Sequence, residues 1–274
     1  MNYSKKGVRA KQKTLNSKSQ KWGRKIAPTI RLSDVVAVGE ATIVYDREGN
    51  EIDQYVSTNS NRLSVGMDEI PDYLGKAFVA IEDERFYQHN GIDFKSIIRA
   101  GYQFFKTGGE EAQGASTITQ QLLKNTVFTD WTSEGNNKIK KIKRKIQEQY
   151  LALEITKYYS KDEILLRYMN AINLGQNTLG VESASLRYFG KHCSELTISE
   201  CAVIASITQN PSKYNPIRHP EENVKRREKC LNKMLELGFI SQTQYDEAMA
   251  DTDAVYERIG LYDIDYQEAN ATTG

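Results

Sequence analysis

Four segments of this chain repeat one pattern: Ser or Thr, two residues, Glu or Gln, then a run with apolar residues at helical spacing. They are Thr117–Gln120, Ser160–Glu163, Thr197–Glu200 and Ser241–Gln244. In such a capping box the hydroxyl accepts from the N–H three residues on, and the Glu or Gln reaches back to the first residue's N–H. Four helix starts of this kind commit much of the chain from residue 117 onward to helices. The rest of the pattern agrees. Pro71 suits the first turn of a helix, and Leu74, Ala77, Phe78 and Ile81 follow at helical spacing, with Gly91 expected as the stop. A second helix is predicted over 94–105, with Ile97, Ile98, Tyr102 and Phe105 on one side. The longest is predicted over 138–157, with Ile139, Ile142, Ile146 and Leu153 as its inner stripe. Asn210-Pro211 is expected to end a helix begun near Ile198. Ahead of the helices, residues 41–45 and 51–56 flank a turn containing Gly49 and read as a β-hairpin. No internal repeat is present.

The expected organisation is a basic disordered tail over 1–33, a linker with the hairpin over 34–70, a helical domain over 71–250 and a C-terminal tail over 251–274. A length of 274 residues with 39% apolar and 27% charged residues suits one sizeable domain with a core. The net charge of +1 hides an asymmetry: residues 1–33 hold seven Lys, three Arg and no acid, +10, which leaves −9 for the remainder. Such a tail is either a solvated segment or an electrostatic tether to anionic lipid, at roughly 1 kcal/mol per basic residue. Only Tyr3 and Trp22 offer rings for stacking within it, so nucleic acid is not expected as a partner. No stretch of 18 apolar residues occurs, and no apolar segment follows the basic start, so neither a transmembrane helix nor a signal peptide is expected in this chain. Cys193, Cys201 and Cys230 lack C-x-x-C spacing and are expected to be buried free thiols.

Three stretches carry chemistry. Glu82 follows Phe78-Val79-Ala80-Ile81, a setting whose partial desolvation suits a general base; a solvated helix acid is the plainer reading. Ser116, Thr117 and Thr119 cluster at a helix start, where N–H groups favour an anion, and Gln120, Gln121 and Lys124 add donors and charge. An ordinary capped helix would look the same. Arg144, Lys145 and Glu148 share a helix face, either as a surface salt-bridge ladder or as a cationic clamp for a diphosphate. Lys106-Thr107-Gly108 matches the K-T-G element of transpeptidases, but no S-x-x-K occurs to supply an acylating serine.

Read together, the motifs resemble the peptidoglycan glycosyltransferases, glycosyltransferase family 51, the module of class A penicillin-binding proteins and monofunctional transglycosylases. The likeness covers about residues 71–250, in order. Its parts are Glu82-Asp83-x-x-Phe86-x-x-His89-x-Gly91; Gly114-x-Ser116-Thr117-Ile118-Thr119-Gln120-Gln121-x-x-Lys124-Asn125; Arg144-Lys145-x-x-Glu148; Gly180-Val181-Glu182 with Tyr188-Phe189-Gly190-Lys191; and Gln209-Asn210-Pro211 through Arg226-Arg227. The resemblance implies a lysozyme-like helical fold and the substrate lipid II, polymerised into β-1,4-linked glycan with inversion and release of undecaprenyl pyrophosphate. It implies Glu82 as base, with Glu148 orienting the clamp or helping to hold a divalent cation, Mg or Mn, which some members use. Lys124, Arg144 and Lys145 would hold the pyrophosphate, and Ser116, Thr117, Gln121 and Asn125 would line the donor side. Arg99 and His89 are weaker candidates for substrate contact and local structure. The helix over 94–105 falls where the family carries a membrane-dipping segment. The implied partners are lipid II, the growing glycan, the bacterial membrane surface and other cell-wall synthesis proteins, with the domain on the extracytoplasmic face. Members carry one transmembrane anchor, which is expected to be missing from this chain, as is the transpeptidase module. A lysozyme-like hydrolase or lytic enzyme, or an idle lipid-binding module, are the competing readings.

Overall fold

The computed structural model describes residues 35, 42–45, 51–55, 62–107, 114–129 and 138–272. The basic tail, the hairpin turn and most of the 106–113 connection lie outside these. Strands β1 (Thr42–Tyr45) and β2 (Glu51–Tyr55) pair antiparallel, as the alternation predicts, with an irregularity between Val44 and Tyr45. The rest is helical: α1 (Asp72–Glu82), α2 (Phe94–Lys106), α3 (Ile118–Thr126), α4 (Lys138–Ile155), α5 (Lys161–Ala171), α6 (Val181–Phe189), α7 (Ile198–Ile207), α8 (Pro220–Glu236), α9 (Gln242–Ala250) and α10 (Thr252–Thr272). All four capping boxes form, at Thr117, Ser160, Thr197 and Ser241.

The core is organised around α7. This helix is apolar on every side, the pattern of a helix with no solvent face, and it is buried from Ser199 to Ile207. Helices α1 and α8 pack on it, α3 packs on α4 and α5, α9 lies on α8, and α10 lies on α6. Phe78 of α1 and Tyr168 of α5 meet edge to face at 5.6 Å within the core. The segment 251–274, expected as a tail, carries α10, whose Val255 and Ile259 are buried against Val203. Arg227 is fully buried and bridges Ser199, Thr252 and the Ala248 carbonyl, so the C-terminal helices are fixed to α8 by hydrogen bonds as well as by packing. The three thiols are free and buried, as expected. Burial pushes all of them up, Cys230 to about 12.

Two expectations fail. The first helix does not run on to Gly91; it stops at Glu82, because the Asp83 backbone leaves helical geometry (φ −157°) and its side chain turns to other partners. The stripe of α4 predicted to face inward faces out instead: Ile139, Ile142, Ile146 and Leu153 are all exposed, while Glu148, Leu151, Ala152 and Ile155 are buried. Packing on α3 selects the other face, since that is where Glu148 meets the donor wall. Helix α2 likewise exposes Phe94, Ile98, Tyr102 and Phe105. No helix among the described residues is long and apolar enough to cross a membrane.

Gly91 marks the tightest turn near the site. Its φ is +89°, and a Cβ there would lie 2.3 Å from the Ala152 carbonyl oxygen of α4. Gly91→Ala is expected to cost about 2–4 kcal/mol, a left-handed residue plus an overpacked contact. Urea denaturation would read this as a lowered midpoint with unchanged slope.

Candidate active site

The end of α1, the start of α3, the middle of α4 and the end of α7 converge on one cleft of about 610 Å³. Glu82 is the last residue of α1 and its side chain is 11% exposed. One of its oxygens, Oε1, accepts from the Thr208 hydroxyl at 2.5 Å and from the Arg226 guanidinium at 2.6 Å. The other, Oε2, accepts from the Gln121 amide at 2.8 Å. Desolvation alone, the sequence-based expectation, therefore does not describe this carboxylate; its charge is matched by a guanidinium that is itself only 10% exposed. Each carboxylate oxygen can accept two hydrogen bonds in plane, so Oε1 is saturated and Oε2 keeps one position.

Asp83 is buried and joins two elements. It accepts from His89 Nε2 at 2.9 Å and from the Ile118 N–H, the first of α3, at 3.1 Å. His89 Nδ1 accepts from the Gly91 N–H, so its proton sits on Nε2 and the ring donates to Asp83. His89 is thus occupied with local structure and does not line the cleft, whereas Arg99, its companion candidate, does. Arg99 donates to Glu84 at 3.1 Å. Burial pushes the Glu84 carboxyl up, but the Arg99 hydrogen bond and the charges of Arg99, Lys233 and Arg85 outweigh it and hold it below the usual range.

The opposite wall is polar and cationic. Thr117 caps α3, accepting from Gln120 N–H and donating to the Gly91 carbonyl at 2.7 Å; it is buried and serves the backbone. Ser116, Gln121, Lys124 and Asn125 face the cleft from this helix. Lys145 reaches across from α4 and donates to Ser116 Oγ at 2.7 Å and to Glu148 at 3.2 Å. Glu148 is 1% exposed, and its other oxygen is taken by Arg144. Arg144 is held behind Lys145 and does not line the cleft. The clamp is therefore a buried carboxylate that fixes two cations, with Lys145 presented forward. Glu82 keeps one position on Oε2 and Glu148 has one donor on each oxygen, and among the described residues no three His, Cys, Asp or Glu side chains group as metal ligands.

Two contributors escaped the sequence reading. Arg226 lies in an Arg-Arg pair that the motif order included without a role, and Thr208 ends an apolar helix with no local signal at all. Tyr168 supports both sides from below: it is fully buried, burial and the nearby Glu82 push its hydroxyl up, and it donates to the Gln121 side-chain oxygen Oε1 at 3.4 Å.

A family model described as Transglycosylase matches residues 48–235. Penicillin-binding protein 1A of Clostridium botulinum is 42% identical over 238 residues, covering 84% of this chain and 28% of that protein. Penicillin-binding protein 1F of Bacillus subtilis is 40% identical over 209 residues, covering 76% of this chain and 28% of that protein. The crystal structure of penicillin-binding protein 1A from Haemophilus influenzae is 24% identical, covers 78% of this chain and 21% of that chain, and superposes with a TM-score of 0.43, too low to argue from. The chain spans under a third of the length of these relatives. With the family model covering more than half of its residues, the chain belongs to the transglycosylase family, glycosyltransferase family 51.

Proposed function

We propose that this chain polymerises lipid II, transferring the growing glycan from its undecaprenyl pyrophosphate to the 4-hydroxyl of an incoming disaccharide. The observation that carries this reading is the facing arrangement of Glu82 and the Ser116–Lys124–Lys145 wall in one cleft. A base on one side and fixed cations on the other suit attack at a sugar carbon whose leaving group is a diphosphate.

Glu82 takes the acceptor proton on Oε2, the oxygen with a position left, while Arg226 and Thr208 hold Oε1. The acceptor oxygen forms its bond to C1 of the donor as the bond from C1 to the phosphate oxygen breaks. The electron pair leaves with the diphosphate, facing Lys124 and Lys145, and the anomeric centre inverts. Glu148 keeps Lys145 in place at low cost at the moment of reaction, since the pair is already formed. Glu148 would be the residue to help hold Mg or Mn, which would supply positive charge beside the diphosphate, and no step here depends on it. A polysaccharide hydrolase has no need of this cationic wall, which is why the lytic reading is second.

The exposed apolar faces of α2 and α4 support a location at a membrane surface, with the cleft open to lipid-borne substrate. The extracytoplasmic face of a bacterial membrane and partnership with other cell-wall enzymes belong to this proposal.

Three measurements test it. Labelled lipid II in detergent should yield polymer with the wild-type chain, and Glu82→Gln should reduce the rate about 10²–10⁴-fold, the range for a lost general base; equal rates would remove Glu82 from that role, and cleavage of mature glycan would favour the hydrolase. Glu148→Gln should lower stability by about 3–5 kcal/mol in urea, because Arg144 is left buried without its anion, and it should also slow polymerisation. Vesicles containing anionic lipid should float the protein at low salt, and added salt should weaken the binding without abolishing it, the apolar faces supplying the remainder.

A further inference from the structure

Asn173 follows α5 and lines the cleft together with Ile172, Gln209, Pro211 and Ser212. None of these five carries a charge, in contrast to the cationic donor wall. Asn173 is exposed to the cleft, yet its carboxamide is fixed. Its Oδ1 accepts from the Gly175 N–H at 2.9 Å. An N–H needs an oxygen, so this bond decides which way round the amide sits and turns Nδ2 away from the backbone. Nδ2 has no hydrogen-bond partner among the described residues. It is a fixed, neutral donor in a cleft that otherwise presents charge.

The backbone that holds Asn173 is strained. Thr178 N–H donates to the Gly175 carbonyl at 2.7 Å, and between them Gln176 and Asn177 have φ of 46° and 59°. Two successive positive φ values make a tight hairpin turn, for which Asn and Gly are the usual residues and Gln is not. Neighbours enforce it. The Tyr188 hydroxyl donates to the Leu174 carbonyl at 2.7 Å, and Asn173 pairs with Leu179 in an antiparallel bridge. Gly175 lies against the segment after α7, where a Cβ on it would stand 3.2 Å from the Pro211 carbonyl oxygen. That segment begins just after Thr208, which donates to Glu82. The hairpin is thus set against the same stretch of backbone that holds the base. Strain maintained by its surroundings in this way collects at binding and catalytic sites. We propose that Asn173 is a sugar-binding residue for glycosyl transfer, donating from Nδ2 to a hydroxyl or carbonyl oxygen of the substrate's sugars. A neutral donor suits such an oxygen, whereas phosphate is served by the cationic wall. The inference deepens the transferase reading and rests on it.

The test uses the full chain with labelled lipid II in detergent, comparing Asn173→Asp, Asn173→Ala and Gln176→Gly. Asn173→Asp keeps an oxygen for the Gly175 N–H, and so the turn, but has no N–H to give. Asn173→Ala gives up the donor without adding charge. Both should raise KM about fivefold or more with kcat changed less than about twofold, as expected when a hydrogen bond made equally before and during reaction is lost. The deficit of Asn173→Asp should persist in high salt, which screens repulsion between exposed charges. Gln176→Gly, which suits the turn, should keep wild-type kinetics. Wild-type KM in either Asn173 variant that folds would overturn the proposal, as would a rise in Asn173→Asp that salt abolishes. An equal rise in Gln176→Gly would also overturn it, since the effect would then come from the turn. If Asn173→Ala does not fold, Asn173→Asp decides; if Asn173→Asp does not fold either, the residue serves the hairpin alone and the proposal falls. A wild-type chain that makes no polymer would instead remove the transferase reading, whereas polymer from wild type with unchanged KM in the variants removes this inference alone.

Discussion

The contact on which the site depends is the hydrogen bond from the first amide of α3 to the side chain of Asp83. It ends one helix and begins another. Because Asp83 leaves helical geometry, α1 stops with Glu82 at its tip, and because the carboxylate accepts from Ile118, the start of α3 is brought beside that tip. A carboxylate at a helix N-terminus is favoured by the dipole and by an otherwise unsatisfied N–H. The same favourable placement that stabilises α3 therefore sets the base opposite the donor wall. His89 and Gly91 close the loop between, His89 by donating to Asp83 and Gly91 by a backbone conformation that allows contact with α4.

Around this joint, charges are buried in matched sets. Glu82 is met by Arg226 and Glu148 by Arg144 and Lys145. A buried pair of this kind adds little net stability, since desolvation offsets attraction. What it provides is a fixed geometry. Glu82 is held by donors from α3, α8 and the residue after α7, whereas Glu148 is held by its own helix, with Lys145 tied to Ser116 ahead of α3. The electrostatic frame is thus assembled by the fold before substrate arrives, which is the condition under which dipoles and charges are most effective on a reaction.

Much of this was legible in the chain. The capping boxes gave four helix starts to the residue, since that pattern names both partners of a local hydrogen-bond exchange. From the Glu82, 114–125 and 144–148 stretches, Glu82, Ser116, Thr117, Gln121, Lys124, Asn125, Lys145 and Glu148 line one cleft, and Arg144 does not. What was not legible is what depends on distant partners. Periodicity marks an apolar stripe but not what covers it, so Ile139, Ile142 and Ile146 read as core and are exposed, while Glu148, which reads either as part of a surface ladder or as part of a clamp, is buried. Thr208 and Arg226 are separated from Glu82 by more than a hundred residues, and no local pattern could pair them with it. The helix formed after residue 251 lacks a capping box and is held by Val255 and Ile259 against Val203, again a tertiary effect.

The three cysteines carry a practical consequence. All are enclosed, and burial keeps each thiol protonated well into the alkaline range. Alkylating reagents act on the thiolate, so toward such reagents the folded protein behaves as if it contained no sulfhydryl at all. A single cysteine introduced on the outward face of α2 would then be the sole reactive handle on the native background. A fluorophore placed there would report the surroundings of that helix in detergent, in vesicles or in water, with no need to remove any native residue first.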